Sequence, residues 1–310
     1  MKTSHVSIET TEGGSYIRKL CKHFAHKIVV AYDEKEGTAE FPFGRALMTA
    51  DEKTLRFDIS SDTFEGISRI KYVLVTHLEK FAFRENLEIV WKDEPAPPEP
   101  DWELVAGQLR HPSGEWGIKT GINMNHANMG MIVRAFALSD LSGKEQLLEL
   151  GPGNGAHLAD IMKQLPGLRY TGVEISETMI QEASERCRGM NNIAFLMTDG
   201  KTLPFGDQAF DRVVTVNTVY FWEEPAAYAA EIRRVLKAGS GIFCLGFVSS
   251  DSMEKLPFTR HGFELYDLEK AERLLTDAGF VIRSVVSETE TIRSNTGENI
   301  ERVRNYILAG

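Results

Sequence analysis

The run LLELGPGNGAHL at residues 147–158 constrains the fold more than any other stretch of this chain. An apolar segment of strand length meets three alternating glycines, Gly151, Gly153 and Gly155, and Glu149 sits two residues before the first of them. Glycine lets the backbone adopt positive φ and lets a ligand approach closely, while the N-terminus of a following helix favours negative charge. With Ala156 in place of a third glycine, the string also satisfies the loose dinucleotide pattern G-x-G-x-x-G/A. Glu174, nineteen residues after Gly155, suits either kind of nucleoside ligand, because a carboxylate can grip both hydroxyls of a ribose diol. The turn alone therefore leaves the ligand open.

The surroundings of that turn set the architecture. Strands are predicted at residues 146–150, 169–174, 193–197, 212–217 and 241–247, separated by amphipathic helices, with a closing antiparallel pair at 281–289 and 303–308. Alternation of this kind implies a parallel sheet covered on both faces, with ligands at the C-terminal ends of its strands. Upstream, DEPAPPEPD (residues 93–101) places four prolines and four acids in nine positions, the composition of a stiff, solvated connector. It divides the chain into a small domain, 1–92, and a larger one, 102–310.

The small domain reads as a strand (5–10), a helix (15–27), two or three strands across 29–59, a long helix (63–83) and a last strand (87–92). Ile17, Leu20, Cys21, Phe24 and Ile28 fall on one helical face, and Ile67, Ile70, Leu74, Leu78 and Phe81 on another. Two such helices on one face of an antiparallel sheet make an α+β two-layer domain.

A net charge of -10 without a basic cluster repels phosphate backbones, so nucleic acid is not an expected partner. Three scattered cysteines, Cys21, Cys187 and Cys244, provide neither a disulfide framework nor a four-thiolate zinc site. No apolar run approaches the ~20 residues of a membrane helix. The opening MKTSHVSIETTEGG has no signal-peptide core, so no membrane association and a cytoplasmic location are expected.

ELGPGNG, VEIS with Glu174, TDGKTLPFGDQAFDRV, NTVYFW and LKAGSG together resemble the class I S-adenosylmethionine-dependent methyltransferases, and most of all the small-molecule branch of the ubiquinone and menaquinone pathways. The resemblance covers about 105–309. It implies a Rossmann-like α/β domain with a seven-stranded sheet and an antiparallel C-terminal hairpin, S-adenosylmethionine as cofactor and a small-molecule methyl acceptor. It also implies that Gly151, Gly153 and Gly155, with Glu149 ahead of them, form the methionine loop. Glu174 would then hold the ribose, Ile175 beside it would also bind the cofactor, Asp199 and Gly200 would flank the adenine, and Asn217 would lie beside the sulfonium. HPSGEWGIKTGINMNHANMGMI (111–132) looks like a lid helix of that branch, and LPFTRHGFELYD (256–267) lies where such a fold builds its acceptor pocket.

Methyl transfer from a sulfonium is an in-line displacement that positioning and water exclusion can largely supply. Where a general base is needed, Tyr220 after the fourth strand and His126 in the lid-like stretch are the candidates. Two rival readings stand beside this one. The first is an NAD(P)-dependent oxidoreductase. The second is a non-catalytic S-adenosylmethionine-binding or metal-chelate accessory protein.

The second rival draws on the small domain, whose SYIRKLCKHFAHK and THLEKFAFRENLEIVWK resemble a bacterial domain family of unknown function that often accompanies siderophore-interacting proteins. Within it, helical angles place Cys21 in the core. They leave His23 and His26 as the pair that could share a metal ion, with His77 bordering the apolar face of the other helix. Packing and surface roles account for these histidines equally well, and no metal site is assigned to them.

Overall fold

The structure, a computed structural model, describes residues 1–95, 99–293 and 299–310 and divides into two compact units. The first is built on Met1–Glu99 and the second on Pro100–Ile292 with Glu301–Gly310. Residues 96–98 of the proline-rich connector lie outside the described residues. Among the described residues no helix is long and apolar enough to cross a membrane.

The first unit runs β1 (Lys2–Glu9), α1 (Gly13–Phe24), β2 (Val29–Tyr32), β3 (Glu36–Phe41), β4 (Gly44–Ala50), β5 (Thr54–Ser61), α2 (Phe64–Phe81) and β6 (Lys92–Glu94). Its six strands form one sheet in the order β2-β3-β4-β5-β1-β6. Alternate residues Val6 and Ile8 of β1, Ala46 and Met48 of β4, and Leu55, Phe57 and Ile59 of β5 are buried in one cluster. The cluster also takes in Ile17, Leu20, Cys21 and Phe24 of α1 and Ile67, Ile70, Leu74 and Leu78 of α2. The period of two on the strands and of three to four on the helices thus meets in a single two-layer core. Thr63 caps α2 by accepting from the Gly66 amide at 3.0 Å.

Two expectations for this unit need correction. The last strand is Lys92–Glu94, paired with β1, and not residues 87–92. Leu87, Ile89 and Trp91 do alternate and do pack on the core, but their backbone joins no ladder, so the alternation reported packing rather than pairing. The second correction concerns the histidines. His23 faces His77, with ring centroids 4.5 Å apart and Phe24 and Phe81 at its edges, so its neighbour is the histidine of α2 rather than His26. Among the described residues no group of three or more histidine, cysteine or acidic side chains is placed to hold a metal ion.

The second unit runs α3 (Trp102–Arg110), α4 (Gly114–Leu138), β7 (Gln146–Leu150), α5 (Leu158–Gln164), β8 (Arg169–Glu174), α6 (Glu177–Arg186), β9 (Ile193–Met197), β10 (Arg212–Val216), α7 (Pro225–Val235), β11 (Ile242–Val248), α8 (Ser250–Met253), α9 (Leu268–Asp277), β12 (Ile282–Arg293) and β13 (Asn299–Ala309). The sheet order is β12-β13-β11-β10-β7-β8-β9. β8, β7, β10 and β11 run parallel, with β9 parallel to β8, and β13 returns antiparallel to β11. The chain moves outward from β7 to β9 and then restarts on the other side at β10. That reversal opens a crevice at the C-terminal ends of β7 and β10, where ligands of open α/β sheets bind.

Buried side chains fill both faces of the sheet: Leu148, Val213, Phe243 and Ile307 lie in one cluster, and Leu147, Val214, Cys244 and Tyr306 in another. Burial on both sides is what makes these strands continuous apolar runs in the sequence. Because each unit has its own core, residues 100–310 expressed alone are expected to unfold in one cooperative thermal transition. Scanning calorimetry showing no transition for that fragment would move the domain boundary.

Candidate functional site

The crevice deepens into a cavity of about 380 Å³, within the size range of small-molecule sites. Its floor is the glycine turn. Gly151 has φ +70°, and a Cβ there would stand 2.6 Å from the Thr218 methyl. Gly153 has φ +57°, and a Cβ there would meet nothing within 4 Å. The first glycine is therefore required by close approach of the next loop, and the second leaves bare backbone facing open space, as a closely held ligand needs. Gly155 does a third job, lying against Ala183 of α6 with only 3.3 Å for a Cβ.

The predicted acids separate into different roles. Glu174 ends β8, lines the cavity and is only 6% exposed. One of its oxygens accepts from the Gly153 amide at 3.0 Å, and the other from the amides of Ile175 at 2.8 Å and Ser176 at 3.1 Å. Burial raises its pKa above the ordinary glutamate value, against the opposing pull of those three N–H groups. Glu149, 2% exposed, does not line the cavity. It lies behind the turn, accepting from the Tyr170 hydroxyl at 2.5 Å and bonded to His157 Nε2 at 2.8 Å, and so ties β7, β8 and the start of α5 together.

Asp199 also departs from the expected position. Its carboxylate is folded back on its own turn, accepting from the Lys201 and Thr202 amides at 2.8 and 2.9 Å, which holds its pKa below the usual carboxylate value. Thr198 and Gly200 on either side line the cavity, as does Ile175.

At the other end of the cavity Asn217 has φ +58° and points its amide at Asn128 of α4, Nδ2 to Oδ1 at 3.1 Å. The single proton of the Tyr220 hydroxyl goes to Asn217 Oδ1 at 3.1 Å or to the Val248 carbonyl at 3.0 Å, and the oxygen accepts from the Val248 amide at 2.6 Å. Burial pushes that phenol far above its usual pKa, so it stays protonated and serves as a strut between the ends of β10 and β11. His126 is exposed and is not among the lining residues. Its neighbours on the other face of α4, Met124, Asn125, Ala127 and Asn128, are.

α4 is fastened at its start. The Gly114 amide donates to Thr178 Oγ1 at 3.1 Å, and the Ser176 hydroxyl to the Pro112 carbonyl. Phe221, Met253, Leu256, Phe258 and Phe263 complete an apolar wall. Arg302 on β13 also lines the cavity and was missed from sequence. No local pattern marks it, since the return of the last strand alone carries it there. The spacing of Gly121, Met124, Asn125, Asn128 and Ile132 on one helical face was a legible signal for α4.

Residues 148–244 match the family described as "Methyltransferase domain", and residues 5–92 match one described as "Uncharacterized protein conserved in bacteria". Among curated proteins, a phthiotriol/phenolphthiotriol dimycocerosates methyltransferase of Mycobacterium tuberculosis is 30% identical over 37% of this chain and 42% of its own length. A demethylmenaquinone methyltransferase of Tropheryma whipplei is 32% identical over 33% of this chain and 42% of its own. The chain thus spans about two-fifths of the length of these relatives. Among solved structures, a chain of the complex between the Haloferax volcanii Trm112 methyltransferase activator and the putative methyltransferase has a TM-score of 0.52 at 18% identity. It covers 69% of this chain and 99% of its own, a likeness of fold.

The strut role of Tyr220 has a measurable consequence. Tyr220→Phe leaves the buried Val248 amide without its acceptor and is expected to destabilise the fold by about 1–3 kcal/mol. Chemical denaturation showing wild-type stability would release the hydroxyl from that role.

Proposed function

We propose that this chain, which carries a methyltransferase domain at residues 148–244, binds S-adenosylmethionine at the β7–β8 end of the cavity and transfers its methyl group to a small-molecule acceptor at the aromatic end. The observation that carries the reading is Glu174. A buried carboxylate at the end of the second parallel strand, bonded to the amide of the open glycine of the turn, borders the cavity. In this reading it accepts from the ribose diol while the open backbone at Gly153 meets the amino-acid part. Ile175, Thr198 and Gly200 would border the adenine, and Asn217 the reacting sulfur. No basic side chain lies in the turn to meet a dinucleotide pyrophosphate, which disfavours the oxidoreductase reading.

When bound, the cofactor supplies a methyl group on a sulfonium and leaves as S-adenosylhomocysteine. The protein's own part is to bind, align and exclude water. α4 and the 256–263 stretch wall the cavity, Asn217 is held by Asn128 and Tyr220, and the Tyr220 strut fixes the distance between strand ends. With Tyr220 protonated and His126 outside the cavity wall, catalysis rests on positioning. His126→Ala is then expected to turn over close to the wild-type rate, without the ~10²–10⁴-fold loss that removing a general base produces.

Glu174→Ala is expected to weaken S-adenosylhomocysteine binding by roughly 1.5–3 kcal/mol, the range for hydrogen bonds to a charged group. The pH dependence has a definite sign. The carboxyl is raised in pKa, so it protonates earlier than an ordinary glutamate as pH falls, and affinity should drop on the acid side before other carboxylates titrate. Calorimetry across pH on wild type and variant measures both; equal affinities would remove Glu174 from the cofactor site. Incubation with methyl-labelled S-adenosylmethionine and a metabolite extract tests turnover. Binding without any label transfer would favour the accessory-protein reading instead.

A further inference from the structure

The acceptor end of the cavity carries a charge as well as an apolar wall. Phe263 stands at its centre, with ring centroids 4.6 Å from Phe221 and 5.6 Å from Phe258, and Tyr220 6.0 Å away. Into this surface β13 brings Arg302, whose side chain is only 11% exposed. Its Nε donates to Glu290 Oε1 at 2.8 Å and its Nη2 to the Ala127 carbonyl of α4 at 2.5 Å. A guanidinium has five N–H donors, and Nη1 makes no hydrogen bond among the described residues.

The charge count around Arg302 is uneven. Glu290 is shared between Arg302 and Arg304, at 2.7 and 2.6 Å, and Glu288 between Arg304 and Arg134, at 2.9 and 2.8 Å. Three guanidinium groups thus face two carboxylates, and the innermost of the three borders the cavity. The other lining arginine, Arg110, is 41% exposed and paired with Glu223. The lining carboxylate, Glu174, is at the glycine-turn end, and its oxygens are already engaged with backbone amides. Arg302 has only a shared carboxylate, Glu290, as its counter-charge, and a guanidinium held this far from water gains from a further anion at its open Nη1.

We propose that the acceptor is a molecule with an aromatic or otherwise apolar body and one carboxylate, and that Arg302 is the residue that selects it by receiving that carboxylate. The proposal rests on the methyl-transfer reading only for which end of the cavity takes the acceptor. Charge complementarity inside a desolvated pocket discriminates between an acid and its uncharged isostere, because the neutral analogue gives the Nη1 donors no anion to meet.

The test uses the full chain and two probes of the same shape, 2-naphthoate and 2-naphthamide, titrated calorimetrically with and without saturating S-adenosylhomocysteine. The acid is expected to bind about tenfold more tightly than the amide, the scale of one charge-assisted hydrogen bond. In Arg302→Gln that ratio is expected to fall to about one, with S-adenosylhomocysteine affinity unchanged and folding checked by thermal melting. Arg302→Lys, which keeps the charge, is expected to retain part of the preference. Equal affinity of the wild type for both probes, or no binding of the acid, overturns the proposal. So does a preference that survives in Arg302→Gln, and so does equal weakening of both probes there, since a mere strut for α4 would act that way. Because the probes are also titrated without S-adenosylhomocysteine, failure of that ligand to bind would sink the methyl-transfer reading while acid selectivity is still read.

Discussion

The site depends on a buried carboxylate that is held by backbone. Both oxygens of Glu174 accept from amides, Gly153 on one side and Ile175 and Ser176 on the other. The turn after β7 and the turn after β8 are thereby tied to one side chain at the bottom of the crevice. Taking a carboxylate out of water is costly, and the raised pKa of Glu174 records that cost. The three N–H groups offset it in part and fix the position of the oxygens.

Around this anchor the unit is arranged as a set of struts. Glu149 holds Tyr170 and His157 behind the turn, Tyr220 spans to Val248, and Arg302 reaches from β13 to the carbonyl of Ala127 on α4. Each is polar, buried and hydrogen-bonded, the form in which polar groups persist in an interior. Their common effect is to hold the ends of β7, β10, β11 and β13 and the inner face of α4 at set distances. A reaction driven by alignment rather than by a protein nucleophile needs this kind of rigidity.

The first unit brings titratable residues together at the contact of its two helices. His23, an exposed residue whose pKa is lowered chiefly by partial loss of hydration and then by its histidine and lysine neighbours, packs against His77, Phe24 and Phe81. His77 in turn bonds the Val73 carbonyl through Nδ1 at 2.7 Å. The rings are used as aromatic surface where two helices meet, and a short His-x-x-His spacing carried no information about that contact.

What the sequence determined by itself was everything that depends on local periodicity and turn chemistry. The strands at Gln146–Leu150, Arg169–Glu174 and Ile193–Met197 were legible to the residue, because each is a short, largely apolar segment bounded by turns between helical patterns. The glycine turn and Glu174 were legible because their spacing follows from one βαβ unit. The tertiary structure decided which of the marked residues reach the cavity. Asp199 caps its own turn, His126 lies on the outward face of α4, and Arg302 arrives from the far end of the chain. The physical reason is that a side chain's direction depends on the packing of its element against partners remote in sequence. An antiparallel return such as β13 on β11 brings in residues that no local pattern announces.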